Sequence, residues 1–112
     1  MTLFEKQKRF PLLVAKLIVK ADELGYQVTF GEAWRPPEVA AIYAKEGRGI
    51  SNSLHWDRLA IDLNLFKGGK WLRHTEDHRP LGEYWETLGE GCTWGGRFGD
   101  GNHYAITHQG RK

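Results

Sequence analysis

Ser53-Leu54-His55-Trp56-Asp57-Arg58-Leu59-Ala60-Ile61-Asp62-Leu63-Asn64-Leu65 reads in two halves. From Ala60 onward apolar and polar residues alternate. Ile61, Leu63 and Leu65 fall on one side, and Ala60, Asp62 and Asn64 on the other. A period of two marks a strand with one buried face, so the opposite face presents Asp62 to a cleft. His55 lies an odd number of positions before Asp62 and would sit on the other face of one straight strand. It is therefore expected to reach the cleft from the preceding loop. Near the C-terminus, Asp100-Gly101-Asn102-His103 offers a second imidazole and a second carboxylate. A catalytic zinc site needs three protein ligands and an open position, with a further carboxylate as base. This reading makes His55, Asp62 and His103 the ligands and Asp100 the base.

The flanking chain supplies the rest of a small domain. Thr2-Leu3-Phe4-Glu5 has the form of a capping box. It opens a helix whose apolar residues are Phe4, Phe10, Leu13, Val14, Leu17, Ile18, Ala21 and Leu24. Pro11 is expected to kink that helix or start its second part, and Gly25 to end it. Residues 26–33 read as a strand with Tyr26, Val28 and Phe30 on one side, delivering Glu32 and Arg35 ahead of Pro36-Pro37. Residues 38–45 read as a short helix. Lys67-Gly68-Gly69-Lys70 reads as a turn into a returning strand at Trp71-Leu72, residues 73–80 as a polar loop, and residues 81–88 as a helix burying Tyr84, Trp85 and Leu88. A glycine-rich stretch, residues 89–101, leads to a last strand at residues 103–107. The fold class expected is α+β, helices covering one face of a small antiparallel sheet and zinc lying on the other.

The bulk properties bound the function. The 112 residues suit one domain, residues 1–112, with no separate wall-binding domain. A net charge of +2 with scattered Lys and Arg argues against nucleic acid as partner. A lone Cys92 excludes an internal disulfide and fits synthesis in a reducing compartment. The N-terminus has no unbroken apolar run, so neither a signal peptide nor membrane insertion is expected.

Ser53-Leu54-His55 followed by Ala60-Ile61-Asp62-Leu63 resembles the S-x-H-x6-D signature of the zinc peptidases that cut bacterial cell-wall peptides. That family includes D-Ala-D-Ala carboxypeptidases, vancomycin-resistance dipeptidases and phage endolysins acting as L-alanyl-D-glutamate peptidases. Trp94-Gly95-Gly96 and then Asp100-Gly101-Asn102-His103 is similar to the endolysin branch, and Gly31-Glu32-Ala33-Trp34-Arg35 resembles the family's arginine-bearing segment. The resemblance implies a fold shared with the D,D-peptidases and the Hedgehog signalling domain. It implies one zinc ion per chain on His55, Asp62 and His103, with Asp100 as base. Arg35 would bind substrate and stabilise the oxyanion, Ser53 would lie behind the ligands or touch substrate, and Trp94 would line the cleft or pack. The implied partner is bacterial peptidoglycan, met by a monomer made in the host cytoplasm and acting on the wall after release. Two departures stand out: Trp56-Asp57-Arg58-Leu59 replaces a loop that often carries Gly, and Asp100 stands where the carboxypeptidase and dipeptidase branches carry Glu.

Other readings use the same residues. A D-Ala-D-Ala carboxypeptidase or dipeptidase would share the metal site. A zinc-stabilised wall-binding module would need no turnover, and a metal-dependent nuclease would lean on Asn102-His103 without a basic groove. His74 and His78 have a chelating spacing if helical, but the polar context reads as an exposed loop. Cys92 reads as a small buried apolar residue, and His108 falls on the far face of the last strand.

Overall fold

The computed structural model describes residues 1–36, 38–39, 42, 45–47 and 53–112. Its elements run α1 (Leu3–Glu23), β1 (Gln27–Phe30), β2 (Ala60–Lys67), β3 (Lys70–Leu72), a 3-10 turn (Thr75–His78), α2 (Arg79–Thr87), β4 (Cys92–Trp94), a second 3-10 turn (Gly95–Phe98) and β5 (His103–Ile106). The expected helix at 38–45 falls partly outside the described residues; Glu38, Val39, Ile42 and Lys45 are helical.

Helix α1 begins with the capping box. The Thr2 hydroxyl accepts from the Glu5 amide, and the Glu5 carboxylate accepts from the Thr2 amide. The helix runs through Pro11 as one element rather than restarting there. It ends as expected at Gly25, whose φ of 86° lets Tyr26 N–H reach the Ala21 carbonyl and Gly25 N–H reach that of Asp22. The helix buries Phe10, Leu13, Val14, Leu17 and Ala21; Phe4 and Leu24 at its two ends are exposed.

Among the described residues the sheet is antiparallel, with order β1-β2-β5-β4 and β3 paired to β2. Strand β2 is its hub. Ile61, Leu63 and Leu65 are buried against Leu13 and Leu17 of α1 and Leu81 and Trp85 of α2 in one core, while Asp62 and Asn64 are half-exposed on the other face. The β2–β3 hairpin turns on Gly68 and Gly69, both at positive φ, the pair of conformations a two-residue turn requires. Strand β1 is shorter than expected, and Phe30 is 70% exposed rather than on a buried side. Its hydrogen bonding nevertheless continues past Phe30, since Gly31 N–H donates to the Asp62 carbonyl and Asp62 N–H to that of Glu32.

The region after β3 differs most from the sequence reading. Residues 73–80 hold a 3-10 turn and the start of α2, and His78 is 2% exposed, not solvent-facing. Its Nδ1 is 2.8 Å from the Tyr104 hydroxyl. Burial pushes the His78 imidazole below its ordinary pKa, so it serves as a neutral partner for that hydroxyl. The glycine-rich stretch conceals β4, whose Trp94 is fully buried and donates from its indole N–H to the Gly101 carbonyl at 2.7 Å. Of the two roles expected for Trp94, lining the cleft or packing, its burial fits the second: it packs beneath the loop carrying Asp100. Gly82 of α2 and Gly96 flank the indole, and a Cβ at either would overlap the ring.

Trp94 cannot yield without breaking its bond to Gly101. Gly82→Ala is therefore expected to destabilise the fold by about 1–3 kcal/mol through overpacking, despite the better helix propensity of Ala. Urea denaturation checks this: a variant as stable as the parent would show that the indole has room to move.

Candidate metal centre

Two of the three expected ligands are fixed by one cross-strand pair. Asp62 of β2 lies directly opposite His103 of β5, so both side chains leave the same face of the sheet. His55 arrives from the turn before β2, as its odd spacing required. The turn is closed by Asp57 N–H and Leu59 N–H to the Leu54 carbonyl, with Arg58 at a left-handed φ of 61°. Ser53 is buried and its Oγ accepts from the His55 amide at 3.2 Å, so it shapes the turn behind the ligand. The His55 carbonyl accepts from Arg35 N–H at 3.1 Å, tying the turn to the end of the β1 segment.

The side chains converge on Asp62 Oδ1. His55 Nε2 stands 3.3 Å from it and His103 Nδ1 3.5 Å. The two rings meet edge-on, with centroids 5.2 Å apart. Yet Oδ1 is buried, and at these long distances neither ring nitrogen makes a well-formed hydrogen bond to it, although both are close enough to favour its charged form. A buried carboxylate oxygen without a donor is costly unless a cation satisfies it. One donor atom from each of the three residues lies within 4.8 Å of the others. Tetrahedral zinc with bonds near 2.0–2.2 Å separates its ligand atoms by about 3.3–3.5 Å, so the spacing suits such an ion. A donor set of two imidazoles and one carboxylate suits it chemically. Burial would raise the Asp62 carboxyl, but the facing His103 and His55 rings outweigh it and hold its pKa at about 2. The cluster therefore presents a fixed negative charge at neutral pH.

Asp100 belongs to the turn between the second 3-10 segment and β5. Its amide donates to the Gly95 carbonyl, and its carbonyl accepts from His103 N–H. Gly95 lies so close that a Cβ there would press on the Asp100 carbonyl and on His103. The Asp100 Oδ2 is 4.0 Å from His103 Nδ1, and its side chain is 55% exposed. It stands beside the cluster, open to the cleft. Partial burial raises its carboxyl above the ordinary value, with the Asp62 charge adding and the two imidazoles opposing.

Glu32 completes the arrangement and carries no motif of its own in the sequence reading. Its Oε1 accepts from Arg35 Nε at 2.7 Å and lies 2.6 Å from Nη2. The same oxygen faces His55 Nδ1 at 3.8 Å, the ring nitrogen turned away from Asp62. Arg35, expected at the oxyanion, thus has its Nε and Nη2 engaged by Glu32. The signal in the sequence was the strand phase: β1 pairing carried through to Asp62 places Glu32 next to the metal row. His74 is exposed and His78 is bonded to Tyr104, so neither joins the cluster. Cys92 is buried as expected. His108 lies near Lys6, at 3.2 Å, away from the ligand set.

The sequence matches no protein-family model and no curated protein. In fold, the chain is similar to the crystal structure of the Serratia marcescens L-Ala D-Glu endopeptidase ChiX. The TM-score is 0.69 at 20% sequence identity, over 92% of this chain and 85% of that one. The likeness confirms the α+β architecture expected from the alternation in β2.

His55 Nδ1 makes no hydrogen bond, so Glu32 acts on the ring through its charge at 3.8 Å, which would raise the basicity of the imidazole toward an ion. Glu32→Gln is expected to weaken zinc binding about 10- to 100-fold while leaving the fold intact. Competitive zinc titration with a chromophoric chelator reads the affinity, and circular dichroism the fold. An unchanged affinity would remove Glu32 from the site.

Proposed function

We propose that the chain is a zinc-dependent peptidoglycan peptidase, one catalytic domain of the endolysin type, hydrolysing an amide in bacterial stem peptides. L-Alanyl-D-glutamate is the preferred bond. The observation that carries this reading is the unsatisfied Asp62 Oδ1 between two imidazoles with a second, open carboxylate at Asp100. The fold it sits on is similar to that of ChiX, an L-Ala D-Glu endopeptidase.

His55, Asp62 and His103 would hold the ion, with Glu32 steadying His55. Zinc in such a site supplies Lewis acidity toward a carbonyl and lowers the pKa of bound water to about 7. Asp100 is placed to take the proton of the attacking water and return it to the leaving amine. Its raised carboxyl pKa brings it closer to the working range of a general base. Ser53 acts on the reaction only through the His55 turn, and Arg35 through Glu32 and the His55 carbonyl. Peptidoglycan is the partner, reached after release from the cell that makes the chain. Among the described residues no helix is long and apolar enough to cross a membrane.

The test is digestion of purified sacculi by zinc-loaded protein, with products read by mass spectrometry with and without chelator. New amino-terminal D-glutamate, abolished by chelation, is expected; release of terminal D-Ala alone would point to the carboxypeptidase reading. Asp100→Asn is expected to keep zinc binding and lower kcat about 100- to 10,000-fold. If the zinc-loaded parent clears walls no faster than the zinc-loaded variant, Asp100 is not the base; if neither clears them at all, the chain is a binding module without turnover.

A further inference from the structure

A polar pocket of about 190 Å³ shares Asp100 with the metal centre and includes none of the three ligands. Asn64, Trp71, Arg73, Thr75 and Asn102 line it with Asp100. Asn64 follows Asp62 by one alternation of β2, so the row of side chains on the open face leads from the ligand straight into the pocket. Two residues along a strand span about 6.8 Å. The Gly99–Asn102 turn lies against the 3-10 segment, where a Cβ on Gly101 would stand 2.5 Å from Thr75 Cα. Close approach at this glycine thus holds the base-bearing turn and the Arg73 segment together.

Arg73 is the unusual member. It is exposed, and among the described residues its one partner is the Trp71 ring, 5.9 Å from the guanidinium carbon. Other arginines close to acids are paired: Arg35 with Glu32, Arg79 with Glu76, Arg97 with Glu86 and Arg111 with Asp57. A guanidinium held on an aromatic face, beside side-chain amides, is equipped to take a planar anion in a bidentate grip. Without it, the Asp100 charge would repel any anionic group from this end of the cleft.

We propose that this pocket binds a carboxylate of the substrate through Arg73, within one or two residues of the bond to be cut. The inference rests on the peptidase reading for the identity of the ligand. It makes Arg73 a specificity residue, selecting a peptide whose acidic residue carries a free carboxylate next to the scissile amide over one in which that group is amidated.

Binding of a product-like peptide tests this apart from turnover. The zinc-loaded protein is titrated with γ-D-glutamyl-L-lysine and with its α-amide, and the Trp71 indole N–H resonance is followed by NMR. The free acid is expected to bind about ten-fold more tightly than the amide, the scale of one charge-assisted pair. Arg73→Gln should erase the difference and Arg73→Lys should keep part of it. Equal binding of the two peptides by the parent protein, or a preference that survives Arg73→Gln, overturns the proposal. Cleavage of sacculi is measured in parallel. A preference for the acid in a protein that cuts no wall peptide would uphold the pocket and refute the peptidase, and the reverse pattern would do the opposite.

Discussion

The structure depends on one buried carboxylate oxygen. Asp62 Oδ1 sits between two ring nitrogens and accepts a well-formed hydrogen bond from neither. The fold maintains that arrangement at a cost, since a buried anion needs a compensating charge. The three side chains together could satisfy that charge by holding a cation between them. The direct Asp62–His103 pairing makes the constraint rigid, because two residues opposed across a ladder cannot separate without breaking β2 from β5.

Around this pair, the packing is governed by close approaches at glycines. Gly31 lets the β1 segment pass within 3.0 Å of Asp62, measured from where its Cβ would be. Gly82 and Gly96 enclose the Trp94 indole, Gly95 admits the Asp100 carbonyl, and Gly101 admits Thr75. The indole in turn anchors the Gly101 carbonyl. The Trp94-Gly95-Gly96 segment therefore acts on the site by sterics: a large flat side chain sets the height of the turn that carries Asp100. Its proximity to Asp100 and His103 follows from that packing, not from contact with a ligand.

How much of this was legible depended on whether a local period or a remote clearance decided each feature. The alternation from Ala60 to Leu65 predicts the central strand, its buried face and the exit of Asp62 without reference to any other part of the chain. The odd spacing of His55 likewise forces it into a turn. Strand β4 carries no such period, because Cys92, Thr93 and Trp94 are too few to show one and the surrounding glycines read as loop. His78 was hidden for another reason. Its sequence neighbours are polar, and only the fold reveals that the Tyr104 hydroxyl waits across the core. Glu32 was placed at the end of the first strand, but its position beside His55 comes from pairing with distant Asp62, which no local period shows.

His55 is the member of the cluster without a strand beneath it, so its placement requires separate support. That support comes from both ends of the chain. Gln7 of α1 donates to the Asp57 carbonyl at 2.8 Å, and the Arg111 guanidinium pairs with the Asp57 carboxylate, two residues beyond the imidazole in the same turn. From the opposite side, Arg35 N–H holds the His55 carbonyl, and Glu32 faces the ring. A turn gripped on both flanks loses little freedom when an ion binds, so more of the coordination energy appears as affinity. The same grip explains how a turn with a left-handed, non-glycine residue at Arg58 is tolerated. Local strain persists where the surroundings over-determine the backbone, and such positions gather at functional sites. Here that strain lies three residues from His55, in the one part of the candidate cluster that the sheet does not fix.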